Sequence, residues 1–161
     1  MIAVTSLEHI HKKGRFGNYH KKDEKNLLQI SEVKNLTIIQ LVQYKRSKIQ
    51  PNTIKLENLD LPLENPKVTA NKETRILWSA PRTWLIISSK KNIINNIKDK
   101  CDHENFAVTD ISHSRAVIQI KGLQAKEVLK KGCPININEI QVNNCAGTVF
   151  NGITVVIDFV N

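Results

Sequence analysis

The sequence predicts an α+β fold, a small mixed domain preceded by an extended arm. Three observations carry that prediction. Short β-branched runs alternate with two short amphipathic stretches from about residue 70 onward. Asn151-Gly152 stands between two apolar runs, the strongest short hairpin signal a sequence offers. Residues 1–33 hold few apolar side chains at no sustained period, so they do not fold on their own.

The elements follow in order. The arm, residues 1–33, carries His9, His11, His20, lysine pairs at 12–13 and 21–22, and Gly14-Arg15-Phe16-Gly17. An arm of this kind is either flexible or laid across a partner. His9-x-His11 has the spacing of a metal pair, but the neighbouring lysines repel a cation. The domain, residues 34–161, opens with Leu36–Tyr44, an apolar β-branched run that reads as a buried strand. Pro51–Leu59 reads as a short helix with Pro51 near its start. Leu61–Pro66 has two prolines and reads as a connector.

Arg75–Ser79 and Trp84–Ser88 read as strands around Ala80-Pro81-Arg82-Thr83, a turn with Pro81 at its second position. Ser89 is the expected N-cap of a helix whose buried stripe is Ile93, Ile94, Ile97 and Cys101. Phe106–Asp110 and Ser114–Lys121 read as strands, the second with Ala116, Ile118 and Ile120 on one face. Leu123–Lys131 reads as a helix with Ala125, Val128 and Leu129 inward and Gly132 as its left-handed cap. Cys145–Phe150 and Ile153–Val160 flank the Asn151-Gly152 turn. The order β-β-α-β-β-α-β-β contains two β-α-β units joined by a hairpin, the pattern of a ferredoxin-like split β-α-β core.

With 161 residues the chain is long enough for a real core, and 40% hydrophobic with 24% charged residues is a globular balance. No apolar run approaches the roughly 18 residues of a membrane span, and the first residues show no secretory signal. The net charge is +9, yet 19 of the 24 basic residues are Lys. Ile (21) and Asn (17) are also over-used. This is compositional drift rather than selection for phosphate, where Arg and stacking aromatics are favoured; no nucleic-acid partner is expected. Three cysteines without a C-x-x-C pair read as reduced thiols in the cytoplasm.

Chemistry is sparse. Asp110-Ile-Ser112-His113 holds the residue types of a hydrolytic triad, but adjacent side chains on a strand point to opposite faces, and Asp and Ser at a strand end cap backbone groups. Cys101-Asp102-His103-Glu104 is half of a metal site with no second half at suitable spacing. Cys133 follows a helix C-terminus, where the dipole disfavours a thiolate, and Cys145 begins a strand; both read as core. Neither G-x-G-x-x-G nor a P-loop can be drawn. Trp78 and Trp84 either fill the core or anchor a partner. No catalytic, cofactor or metal residue is assigned.

Several segments, taken in order, resemble the gamma subunit of heterotetrameric sarcosine oxidase. They are Leu61-Pro-Leu-Glu64, Ile76-Leu-Trp-Ser-Ala-Pro-Arg-Thr-Trp-Leu85, Val108–Gly122 with its Asp-Ile-Ser-His, Ala125–Leu129, Lys131-Gly-Cys-Pro-Ile-Asn-Ile137 and Cys145-Ala-Gly-Thr148. Gly147 stands where the family has a polar side chain, and Ala80 where Gly is common. The resemblance implies a non-catalytic subunit whose fold is similar to part of the aminomethyltransferase (T-protein) fold. It implies a complex that oxidatively demethylates sarcosine to glycine and passes the one-carbon unit to tetrahydrofolate. It also implies no cofactor in this chain, with FAD, FMN, NAD and tetrahydrofolate in partner subunits. Direct contact with the alpha subunit is expected, with beta and delta subunits completing the assembly. Family members run longer, so a further strand and helix are expected after Val160. The candidate interface is Arg15 and Phe16 of the arm with Trp78, Arg82 and Trp84 of the hairpin. The alternative is a free-standing folate-binding one-carbon transferase, for which Asp110 is the one candidate carboxylate.

Overall fold

A computed structural model describes residues 5, 7–17 and 27–160. The strands are β1 (Gln29–Glu32), β2 (Thr37–Gln43), β3 (Lys55–Leu56), β4 (Leu59–Asp60), β5 (Val68–Ala70), β6 (Thr74–Ala80), β7 (Thr83–Ser88), β8 (Phe106–Asp110), β9 (Ile118–Lys121), β10 (Cys145–Phe150) and β11 (Ile153–Asp158). The helices are α1 (Ile93–Lys100) between β7 and β8, and α2 (Ala125–Gly132) between β9 and β10. The α+β expectation holds.

The main sheet has the order β5-β6-β7-β2-β8, antiparallel throughout. Because β7 and β8 both run against β2, they are parallel to each other, and α1 crosses between them. This is a split β-α-β unit with β2 in the gap. The residues that alternate onto one face explain it: Ile39 and Leu41 of β2, Ile76 of β6, Ile86 of β7 and Phe106 of β8 are buried there with Ile93 and Ile97 of α1 and with Cys101 at its C-terminal end. Each fully buried Ile or Leu contributes on the order of 2 kcal/mol relative to exposure. Ile54, Leu56 and Leu61 close the same core from the segment before β5. At the sheet's end Thr74 and Ser88, a cross-strand pair, share a buried hydroxyl–hydroxyl hydrogen bond of 2.8 Å.

The opposite face holds a smaller cluster of Val68, Leu77 and Cys145, with Leu85 and Ile87 against it. It is covered in part by the β10–β11 hairpin, whose Asn151 and Gly152 both take positive φ as a two-residue turn requires. β9 pairs with β1 as a separate ribbon rather than joining the main sheet. The place of the middle strand belongs to β2, from earlier in the chain.

Some local expectations change. Pro51–Leu59 is not a helix: a 3-10 turn at Pro51–Thr53 leads into the β3–β4 hairpin, with Glu57 and Asn58 both left-handed at its tip. Burial of Ile54 and Leu56 at alternate positions decides in favour of extended chain. Ser89 is not the helix cap; α1 starts after Asn92, and Ser89 instead meets the Glu73 carbonyl. The strand at 114–121 shortens to Ile118–Lys121, and Ile118 is 46% exposed because a two-stranded ribbon has no second layer over that face. Gly132 is not a left-handed cap. It is the last helical residue, and a Cβ there would lie 2.6 Å from Cε2 of Phe150.

The first described segment of the arm is held to Glu32 and Lys34 by two polar contacts. Lys34 Nζ donates to Glu8 Oε2 at 2.7 Å, and His11 Nε2 lies 3.0 Å from the nearly buried Glu32 carboxylate. Gln29–Glu32, within the arm as read from sequence, forms β1. His20, Lys21 and Lys22 lie outside the described residues.

Candidate functional site

Asp110, Ser112, Asp102 and the three cysteines are engaged in holding the fold. Asp110 Oδ1 accepts from both the Ser112 amide (2.9 Å) and the Ser112 hydroxyl (2.5 Å), and Ser112 Oγ in turn accepts from the Ile38 amide at 2.9 Å. The Ser112 hydroxyl and amide hold the Asp110 carboxyl below the usual carboxylate range. This ties β8 to β2 as a strand-end cap, the structural role anticipated from the Asp and Ser positions. His113 is exposed and donates to neither.

Asp102 likewise caps: its Oδ1 accepts from the Glu104 and Asn105 amides at 3.0 and 2.9 Å, and the Asn105 carboxamide keeps its carboxyl acidic. All three thiols are free and buried. Burial pushes Cys101 and Cys145 up to about 11 and raises Cys133, which disfavours the thiolate at each. Among the described residues no group of three His, Cys, Asp or Glu side chains is placed to hold a metal ion.

One cleft of about 350 Å³ gathers the hairpin residues singled out from sequence. It lies between the β6–β7 turn and the segment 43–51. Trp84 forms its floor; it is 2% exposed, and its indole N–H donates to the Pro62 carbonyl at 2.7 Å. Trp84 therefore acts chiefly as core. Trp78, its cross-strand partner, is only half-buried and makes a wall. Leu63, 60% exposed, stands beside it.

The buried Gln43 organises the other wall. Its Nε2 donates to the Ile49 carbonyl at 2.7 Å and to Ser47 Oγ at 3.2 Å, which folds the segment from Tyr44 to Pro51 over the cleft. Arg82 sits at the rim with φ of 60°. Its Nη1 donates to the Tyr44 carbonyl at 3.1 Å, and its own carbonyl accepts from the Gln43 amide at 2.8 Å. A long side chain at positive φ costs of order 1 kcal/mol, and these two bonds hold it there.

The charge around the cleft is of one sign. Lys48 and Arg82 line it without any carboxylate among the lining residues, whereas the Arg46 guanidinium lies over the Tyr44 ring and donates to the Glu104 carbonyl. Among the described residues neither of these two lining cations has a carboxylate partner. Sequence reading found Trp78, Arg82 and Trp84 but not Gln43, Lys48 or Leu63. The run Lys45-Arg46-Ser47-Lys48 and the lone Leu between Pro62 and Pro66 were the available signals. Arg15 and Phe16 are not among the residues lining the cleft; Phe16 is 69% exposed in the arm.

No family model matches the chain. Over 87 residues it is 29% identical to sarcosine oxidase subunit gamma of Corynebacterium sp. (strain U-96), covering 52% of this chain and 42% of that protein. The matched stretch thus spans 42% of the length of that curated relative. Among solved structures it is similar to a chain of the heterotetrameric sarcosine oxidase from Corynebacterium sp. U-96 in complex with pyrrole 2-carboxylate. The TM-score is 0.72 at 24% identity, over 83% of this chain and 71% of that one. It is also similar to the glycine cleavage system aminomethyltransferase T from Bartonella henselae, with a TM-score of 0.55 at 11% identity, over 75% of this chain and 36% of that one. The fold is therefore the one the sequence resemblance implied, and the match to a gamma subunit agrees with that resemblance.

Proposed function

We propose that this chain, as a member of the sarcosine oxidase gamma subunit family, is a non-catalytic subunit that supports a larger oxidase assembly. The observation that carries this reading is the fold shared with a chain of a sarcosine oxidase complex over 83% of the chain, joined to the sequence identity with a gamma subunit. The engagement of Asp110, Ser112, Asp102 and the three thiols in structural contacts supports it. In this reading the assembly oxidatively demethylates sarcosine to glycine and hands the one-carbon unit to tetrahydrofolate. FAD, FMN, NAD and tetrahydrofolate belong to its other subunits.

The alpha subunit is the direct neighbour, with beta and delta completing the complex. Arg15 and Phe16 in the arm, and Trp78 and Arg82 over the Trp84 floor, form the contact. Three free buried thiols suit a reducing, cytoplasmic location. Co-expression with a sarcosine oxidase alpha subunit carrying an affinity tag tests the reading. Capture of this chain in stoichiometric amount is expected; its absence from the eluate under conditions where both are folded contradicts the proposal.

A second reading, a free-standing folate-binding one-carbon transferase, draws on the fold shared with aminomethyltransferase T. It requires Asp110 to face a pocket, whereas Asp110 is occupied by Ser112. Calorimetric titration with tetrahydrofolate decides it: saturable heat supports this reading, and none removes it.

A further inference from the structure

We infer that the Trp78 cleft is a receptor for an extended, acidic segment of a partner protein, which inserts one apolar side chain and sets carboxylates beside Lys48 and Arg82. The identity of that partner rests on the subunit reading above; the chemistry of the cleft does not.

The floor and the rim make different demands. At the floor the Trp84 indole N–H, and in the wall beside it both N–H bonds of the Gln43 amide, are already spent within the chain. The floor therefore offers no donor to a polar head group, and an apolar side chain fits it best. The walls agree, because Leu63 is exposed and Trp78 is only partly buried there. The Trp78 indole N–H has no acceptor among the described residues, which leaves one donor for an incoming oxygen.

At the rim the chain supplies only cations. Lys48 and Arg82 line the cleft, and no carboxylate of the described residues pairs with either. Complementarity then asks for a partner with negative charge on either side of its apolar anchor. Arg82 adds the clearest sign of purpose. A two-residue turn would accept Gly at this left-handed position without strain, yet a long cation stands there, pinned to Tyr44 and Gln43. A single aromatic wall and a cleft of about 350 Å³ suit one anchored side chain rather than a run of stacked bases.

The full chain contains two tryptophans, so its ¹H–¹⁵N spectrum carries two indole signals, one for each environment. The probe is the blocked peptide acetyl-Glu-Leu-Glu-amide, titrated to millimolar concentration beside acetyl-Gln-Leu-Gln-amide, free glutamate and an oligo-dT strand. The expected result is a saturable shift of the Trp78 indole while that of Trp84 stays fixed, with affinity for the uncharged peptide at least tenfold weaker. Arg82→Gly, which suits the local backbone, and Lys48→Glu should each weaken the acidic peptide about tenfold and leave the Trp84 signal in place. Equal response to both peptides, equal response to free glutamate, a response to oligo-dT alone, or no shift of Trp78 overturns the inference. If the Arg82→Gly, Lys48→Glu double variant is captured by the alpha subunit as well as the parent and the peptide fails to bind, the cleft inference falls and the subunit reading stands. If the parent is not captured but Trp78 responds as expected, the reverse holds.

Discussion

Arg75 and Asp158 join the main sheet to the C-terminal hairpin through two parallel bonds, Nε to Oδ2 at 2.5 Å and Nη2 to Oδ1 at 2.8 Å. The residues lie 83 positions apart, on β6 and β11, and both side chains are largely withdrawn from solvent. Beside them Cys145 packs on Val68 and Leu77. The fork and that small apolar cluster together fix where the hairpin sits.

Asp158→Asn keeps the shape but loses the charge-assisted pair, leaving a guanidinium partly buried. A loss of about 1–3 kcal/mol is expected. Urea unfolding measures it, and hydrogen exchange should quicken across β10 and β11 before the main sheet. Uniform exchange across both would show that the pair does not anchor the hairpin.

Gly132 and Phe150 make the second prediction. A methyl at 132 meets the Phe150 ring at 2.6 Å, so Gly132→Ala sets a helix-propensity gain of about 1 kcal/mol against a clash of about 1–3 kcal/mol. The single variant should be destabilised. In a Phe150→Leu background the same change should become neutral or stabilising, and denaturant midpoints for the four proteins give the coupling directly.

The buried thiols give a pH dependence with a definite sign. Burial raises Cys101 and Cys145 to about 11, so the folded state keeps protons that the unfolded chain releases from its ordinary value of 9.0 upward. Their contribution to stability is complete below 9.0 and is lost as pH rises through about 11. Native protein at about pH 8 should resist alkylation by iodoacetamide, and the reaction should proceed on adding urea. Rapid labelling of folded protein would contradict the burial.

Glu57 gives the opposite slope. Hydrogen bonds from Lys90 and Asn96 hold its carboxyl below the ordinary range, so its contribution is present above that range and fades as pH falls through its lowered value. Glu57→Gln should be less stable than the parent near neutral pH. The difference between their urea midpoints should shrink on going to about pH 3; a constant difference would mean that Glu57 acts through packing alone.

Much of the fold was legible because its signals are local. The runs at Thr37–Gln43, Thr74–Ala80 and Thr83–Ser88 are apolar and β-branched, and Asn151-Gly152 names its own turn. What escaped depends on contacts distant in sequence. Nothing in Gln29–Glu32 announces pairing with Ile118–Lys121, and nothing in Gly132 announces the ring of Phe150. The β3–β4 hairpin was hidden because Glu57 and Asn58 take left-handed conformations without a glycine. The cleft divides in the same way. Trp78, Arg82 and Trp84 sit together in sequence and could be read, whereas Gln43, Lys48 and Leu63 reach it only through the packing of β2 and the Leu61–Pro66 connector.

Light scattering on material co-expressed with a sarcosine oxidase alpha subunit tests the subunit claim most directly. The account predicts one species whose mass exceeds that of the alpha subunit by the 18.3 kDa of this chain. Two separate peaks at the individual masses, with this chain folded, would contradict it.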